Sequence, residues 1–331
     1  AGTYSYYDPN RTDNNDKSAG YTDLEYNGDF FAEKIHWKGL VYYLWDKNHW
    51  KFGNAYGLAD SDAYQTKYID KTLGTDHQFT WKTSSWNSLL AGFTIENLEK
   101  DSSGVDNYQP SAPYTPGLDY DNQALFIQDS LDLMENRVNL IAAARYDRFD
   151  VTTQPAETGS YVDFNERSED YSHVSPKVGA GVKFFDEKLR LRGNVGEGFK
   201  SPTADQLSAD YYHSLGGVRY LGNPDLDPET SMTYDIGADL FLEALTLKVG
   251  WFHTDYEDKI VQQTLVVDGI NTTTYVNHGD AEIAGFEVNL EWAMGQTFRL
   301  PFAASIWSNM TFNTTNEDEE PGTDIQYIAD Y

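Results

Sequence analysis

Cysteine is absent from all 331 residues of this chain. That suits an oxidising compartment in which stray thiols are a hazard, although many cytosolic chains are equally poor in cysteine. Also absent is any apolar run near the roughly 20 residues that a membrane helix requires. The mean hydropathy of −0.61 leaves open a crossing by strands, because barrel strands alternate lipid-facing and lumen-facing residues and never build a high window average. Basic residues are scarce: 24 Lys and Arg stand against 53 Asp and Glu, a net charge of −29. Phosphate binding needs a basic surface, so nucleic acid is excluded as a partner and cations or cationic complexes are favoured. No initiator Met and no signal-like segment stands at Ala1, so the N-terminus reads as processed or cut. Catalytic signatures are missing too. The seven His are scattered, no Gly-x-Ser-x-Gly elbow occurs, and no His pair has helical spacing. No enzyme activity, catalytic residue or resident cofactor is expected, and no metal site is assigned.

Aromatic residues, by contrast, make up 15% of the chain, with 24 Tyr, 17 Phe and 8 Trp. Period-2 alternation runs throughout, without a convincing helical period. Met232, Tyr234, Ile236, Ala238 and Leu240 form one face of a strand whose other face is Thr233, Asp235, Gly237 and Asp239. Leu245 to His253 and Ala284 to Trp292 repeat the pattern, and a further strand is expected over Leu300 to Phe312. Tight turns are expected at Met134–Arg137, Asp186–Lys188, Glu243–Ala244 and Met294–Thr297, and long polar loops at about 98–120, 151–170, 200–229 and 257–273. Short turns at one end and long loops at the other are the pattern of an outer-membrane barrel. Arg145, Lys177, Lys183, Arg190, Arg192 and Lys248 fall on the polar faces, and each would cost about 2–4 kcal/mol facing lipid near the midplane. The apolar faces are therefore read as outward. Trp37, Trp45, Trp81, Trp86, Tyr146, Phe184, Trp251, Trp292 and Phe312 are candidates for interfacial girdles.

The fold class expected is all-β, an antiparallel transmembrane β-barrel of about fourteen strands. The outermost strands are placed at Ala1 to Asp8 and Ile325 to Tyr331. Because a barrel must close, the chain is read as part of a larger barrel, with a complete barrel of about fourteen strands as the other reading.

Several motifs stand in a fixed order. Gly198-Phe199-Lys200-Ser201-Pro202-Thr203 is followed by Gln206-Leu207, then Asn223-Pro224-Asp225-Leu226-Asp227-Pro228-Glu229-Thr230, Tyr234-Asp235-Ile236-Gly237, Tyr275-Val276-Asn277 and Ala284-Gly285-Phe286-Glu287. Together they resemble the C-terminal half of TonB-dependent outer-membrane receptors. The resemblance implies a barrel of about 22 strands closed by an N-terminal plug, which carries the segment that binds TonB and is not found in this sequence. It implies active uptake of an iron chelate, a ferric siderophore first, with haem or cobalamin as alternatives. The implied partners are the TonB–ExbB–ExbD complex acting through the plug, outer-membrane lipid and lipopolysaccharide, around a monomeric barrel in the bacterial outer membrane. A passive porin or structural barrel, or a soluble secreted β protein, are the competing classes.

The family motif residues are Phe199, Pro202, Asn223, Pro224, Leu226, Pro228 and Glu229. Ligand binding is expected from Tyr211, Tyr212, His213, Arg219 and Tyr220 in the loop between the motifs. His213 occupies the interval that holds an axial His in haem receptors of the family, and its plain reading is an exposed loop histidine. Gly193 to Ser201 approaches a phosphate loop, but Phe199 separates Gly198 from Lys200 and the following segment is not read as a helix. Acidic clusters at Asp8 to Asp16, Asp60 to Asp62 and Glu317 to Glu320 lack the spacing of a calcium loop, so Ca²⁺ has no support and solvated surface is the plainer reading.

Overall fold

The computed structural model describes residues 13–52, 61–111, 113, 115–154, 167–213 and 217–318, with residues 211–213 and 318 described by their backbone alone. Long antiparallel strands follow one another along the chain: β1 (Asn14–Phe30), β2 (Ile35–Lys51), β3 (Tyr64–Lys82), β4 (Asn87–Asp106), the short β5 (Gln109–Ser111), β6 (Leu118–Leu133), β7 (Val138–Thr153), β8 (Arg167–Phe184) and β9 (Leu189–Lys200). Loop 201–228 carries α1 (Ala204–Ser208), β10 (Asp210–His213) and β11 (Val218–Leu221) before the wall resumes with β12 (Glu229–Leu242) and β13 (Leu245–Glu257). Loop 258–280 carries β14 (Ile260–Val267) and β15 (Ile270–Asn277), and β16 (Ala281–Trp292), α2 (Met294–Thr297) and β17 (Ile306–Asp318) follow.

Twelve of these strands pair in the order β1-β2-β3-β4-β6-β7-β8-β9-β12-β13-β16-β17, with β5 capping β4. Among the described residues, β1 and β17 each pair on one side only. The two outermost strands expected, at Ala1 to Asp8 and Ile325 to Tyr331, lie outside the described residues. Connections at one end of the wall are short, at 31–34, 83–86, 134–137, 185–188 and 243–244. Those at the other end are longer, and two of them fold into a second sheet in the order β10-β11-β15-β14, in which β11 and β15 run parallel.

Several expectations need correction. The connection between β16 and β17 is not a tight turn at Met294–Thr297 but residues 293–305, begun by α2. The strand expected over Leu300 to Phe312 begins only at Ile306. Gly295 approaches so closely that a Cβ there would lie 2.8 Å from the Ala304 nitrogen. The Gly295 N–H donates to Ala304 O at 2.9 Å, and the Leu300 N–H to Gly295 O at 2.9 Å, which folds 295–304 back on itself. The long loops also begin or end differently: β4 reaches Asp106, and 257–273 contains β14 and the start of β15.

Register assigns the faces. Gly193, Ile236, Trp251, Phe286 and Phe312 lie in one cross-strand row, and Leu191, Ala238, Val249, Val288 and Met310 in the next on the same face. Ile236 is 63% exposed, as a lipid-facing side chain is without its lipid. All the girdle candidates except Trp86, which sits in the 83–86 turn, share this face. The opposite face carries the row Lys183, Arg190, Asp239, Lys248, Asn289 and Asn309. It also carries Leu118 and Val151, which pack against Leu207 and Leu226 of loop 201–228. The polar face is therefore the lumen side, and a loop folds into it.

Asp239 organises that side. Its side chain is fully buried and accepts from Arg190 Nε at 2.8 Å and from Arg192 Nε at 3.5 Å. The Arg192 guanidinium lies across Gly237, where a Cβ would come within 2.8 Å of Arg192 Cζ. The buried carboxylate is thus matched by two cations, the condition under which such burial is tolerable.

The face assignment makes opposite predictions for adjacent residues. Ile236→Lys should destabilise the folded barrel by about 2–4 kcal/mol. Asp235→Lys, on the lumen face, should stay within about 0.5 kcal/mol of wild type. Denaturant titration in lipid vesicles, read by the heat-modifiable gel mobility of folded barrels, measures both.

Candidate functional site

The lumen mouth is built by loop 201–228 turning inward over the ends of β4, β6, β7 and β9. Thr203 starts α1 with a capping box: the Gln206 N–H donates to Thr203 Oγ1 at 3.3 Å, and the Thr203 N–H donates to Gln206 Oε1 at 2.8 Å. Leu207, only 1% exposed, joins Leu118, Val151, Ala204, Leu226 and Ile260 in one apolar cluster. Gly222 passes so close to the end of α1 that a Cβ would meet the Ser208 nitrogen at 2.4 Å. Its N–H donates to Ala209 O at 2.5 Å, and the Asn223 N–H donates to Gln206 O at 2.7 Å.

Between α1 and the wall lies a cavity of about 470 Å³, within the range of small-molecule sites. Phe199 of β9 and Pro202 of the loop line it on one side, and Leu118, Tyr120, Phe149 and Val151 of β6 and β7 on the other, with Lys100 and Lys200 at its edge. Its rings form a run: Tyr120 to Phe149 at 5.6 Å between centroids, Phe149 to Phe199 at 5.7 Å, and Phe199 stacked on His173 at 4.8 Å. Lys200 pairs with Glu229 at 2.7 Å, and Lys100 lies 3.7 Å from Asp70.

The motif residues serve mainly as stitches. Asn223 Nδ2 donates to Tyr275 O at 2.9 Å while its Oδ1 accepts from the Asp225 N–H at 3.0 Å. Leu226 is buried, and its carbonyl accepts from Tyr171 Oη at 3.4 Å. Glu229 accepts from the Ile260 N–H at 2.8 Å besides pairing Lys200. Pro224 and Pro228 flank these contacts, half-buried. Asn277 ties the two loops, donating to Asp227 O at 2.8 Å and Asp258 O at 2.7 Å and accepting from the Asp227 N–H at 2.8 Å.

The residues expected to bind ligand are placed unevenly. Tyr211, Tyr212 and His213 belong to β10, but their side chains lie outside the described residues. Arg219 on β11 is held by Asp210, with Nε to Oδ1 at 2.7 Å and a terminal nitrogen to Oδ2 at 2.8 Å. Tyr220 is half-buried on β11, opposite Tyr211 on one side and Thr273 on the other. The cavity instead gathers Tyr120, Phe149 and Val151, which sequence reasoning did not single out as site residues. Their signal is faint: an inward position near the loop end of a strand.

Asp205 sits half-buried in this stitching. Burial pushes the Asp205 carboxyl above its usual value of 3.8, against the opposing pull of the Tyr275 hydroxyl and of Lys100. Tyr275 Oη donates to Asp205 Oδ2 at 3.3 Å.

Comparison with known proteins agrees with this geometry. The family model described as TonB dependent receptor-like, beta-barrel, matches residues 1–331. The iron-regulated outer membrane virulence protein of Vibrio cholerae is 30% identical over 161 residues, covering 46% of this chain and 23% of that relative. The ferrienterobactin receptor of Escherichia coli K12 is 26% identical over 182 residues, 51% of this chain and 23% of the relative. Among solved structures, the Serratia marcescens hemophore receptor HasR, in complex with its hemophore HasA and heme, superposes with a TM-score of 0.70 at 18% identity, covering 92% of this chain and 49% of that one. The chain spans about a quarter of the length of these curated relatives.

Two substitutions should move the mouth in opposite directions. Asn277→Ala removes three hydrogen bonds, each worth about 1 kcal/mol, and should lower hydrogen-exchange protection in both loops. A carboxyl whose pKa is raised on docking binds protons more tightly in the docked state. Its contribution is therefore fully present below 3.8 and lost as pH rises through the raised value. Asp205→Asn should accordingly increase protection of amides 204–208 at neutral pH and remove the pH dependence, as measured by exchange at matched intrinsic rates.

Proposed function

Because this chain belongs to the TonB-dependent receptor-like β-barrel family, whose members are transport receptors of the bacterial outer membrane rather than enzymes, we propose that it forms the ligand-gating wall of a receptor importing an organic iron chelate, a ferric siderophore before haem. The observation that carries this reading is the cavity under α1. A siderophore already surrounds its iron with donor atoms, so its receptor needs planar surfaces for the organic shell and hydrogen-bond donors for its peripheral oxygens. Tyr120, Phe149 and Phe199 supply the surfaces, and Lys100 and Lys200 stand at the edge with ammonium donors. The ferrienterobactin receptor among the relatives supports the same chelate class.

Gating follows from the stitches. Loop 201–228 and loop 258–280 are tied to each other through Asn223 and Asn277, so a solute seated against one is felt by both. Uptake would draw on the TonB–ExbB–ExbD complex through a plug domain in the lumen, with the polar inner face of the wall as the surface the plug meets.

Haem is the second reading, resting on His213 in β10, a strand held at the mouth through its pairing with β11. Equilibrium binding of a ferric catecholate chelate to the full-length receptor, read by quenching of intrinsic fluorescence, separates the cases. Phe149→Ala should weaken binding about three- to tenfold, the equivalent of one aromatic contact. A hemin Soret band that weakens in His213→Ala, with no chelate binding, would reassign the cargo to haem. Steady ion conductance in planar bilayers without binding of either would instead make it a passive pore.

A further inference from the structure

A second constellation of side chains stands on the outer face of the wall. On β13, Trp251, His253 and Asp255 occupy alternate positions and share the outward face. Asp255 lies directly opposite Glu282 of β16. His253 Nε2 is 2.8 Å from Asp255 Oδ1, and His253 Nδ1 is 3.4 Å from Glu282 Oε1. One nitrogen and two carboxylate oxygens thus come within 4.8 Å of one another. We propose that His253, Asp255 and Glu282 bind a divalent first-row transition-metal cation at the upper edge of the lipid-facing band.

The charge pattern calls for a cation there. Cross-strand register sets Asp255 opposite Glu282 and Glu282 opposite Glu317 across β13, β16 and β17, three carboxylates in a row without a Lys or Arg. Like charges directly opposite each other destabilise a sheet. Asp255 and Glu282 share the single imidazole of His253. A metal ion between them would relieve the repulsion that one imidazole, neutral or singly charged, leaves in place.

The donor set narrows the cation. Carboxylates alone would suit Ca²⁺ or Mg²⁺, whereas an imidazole among them favours Zn²⁺, Co²⁺, Fe²⁺ or Ni²⁺. The three residues also sit on hydrogen-bonded strands rather than on loops, which holds their spacing. His253 is braced from below by the indole of Trp251, stacked at 5.8 Å and 17°, and by Tyr234 at 6.1 Å. Directly opposite it stands the small, buried Ala284, where a β-bulge shifts the register between β16 and β17. Bulges of this kind re-aim neighbouring side chains.

The test uses full-length receptor in detergent, stripped with chelator and titrated with Zn²⁺ by calorimetry. One saturable site is expected, weakened at least about tenfold in His253→Gln and in Glu282→Gln. Co²⁺ should quench tryptophan fluorescence, with the quenched fraction lost in Trp251→Phe because that indole stacks on the proposed ligand. Equal Zn²⁺ affinity and stoichiometry in wild type and both variants would overturn the proposal. So would the absence of an anomalous peak between these side chains in wild-type crystals grown with Zn²⁺, a readout that does not depend on any variant folding.

Discussion

In hydrocarbon, a peptide group without a hydrogen-bond partner costs several kcal/mol, and no water is there to supply one. This constraint shapes the whole chain. It explains why twelve strands pair one beside the next, why the wall strands run 12 to 20 residues where strands of soluble sheets average about 5–6, and why irregular backbone is confined to the two ends. Once the ladder is satisfied, period 2 sorts the side chains. The outward rows become apolar and the inward rows collect the charge that lipid would reject.

The inward charge is not simply solvated. Asp239 is sealed between Arg190 and Arg192, and Gly237 leaves the space in which Arg192 can lie flat. The mouth follows a related rule with different partners. There the buried polar groups are mostly backbone, and asparagine side chains satisfy them, because one amide can donate and accept at once. Asn277 alone serves two loops in this way. Of the motif residues, Asn223, Leu226 and Glu229 thus fasten the loops, while Phe199 and Pro202 line the cavity together with other residues of the wall strands.

Much of the wall can be read from sequence, because alternation is local: the faces of Met232 to Leu240 and of Leu245 to His253, and the inward direction of Arg190 and Arg192, need only neighbouring residues. The strand expected from Leu300 failed for a reason of the same scale. Leu300, Phe302 and Ala304 alternate, but Pro301 has no N–H to give a ladder, and the backbone closes on Gly295 instead. The cavity was out of reach for a different reason. Leu118, Tyr120, Phe149 and Val151 are ordinary strand residues until loop 201–228 folds against them, and no local pattern records a contact made across 50 to 100 positions. The second sheet was missed likewise, since β11 pairs with β15 in parallel across two loops.

The topology also has a temporal meaning. Each ladder of the wall joins strands that are neighbours along the chain apart from the loop elements between them, so wall contacts close short lengths of chain and suit early formation. The roof of the mouth is different. Its parallel β11–β15 ladder, the Asn223–Tyr275 bond and the seat of Leu207 on Leu118 and Val151 draw on segments scattered from β6 to β15. None of these contacts can exist before the hairpins that present them. Assembly therefore has a direction, wall before mouth, and the roof over the cavity is the last part to take shape.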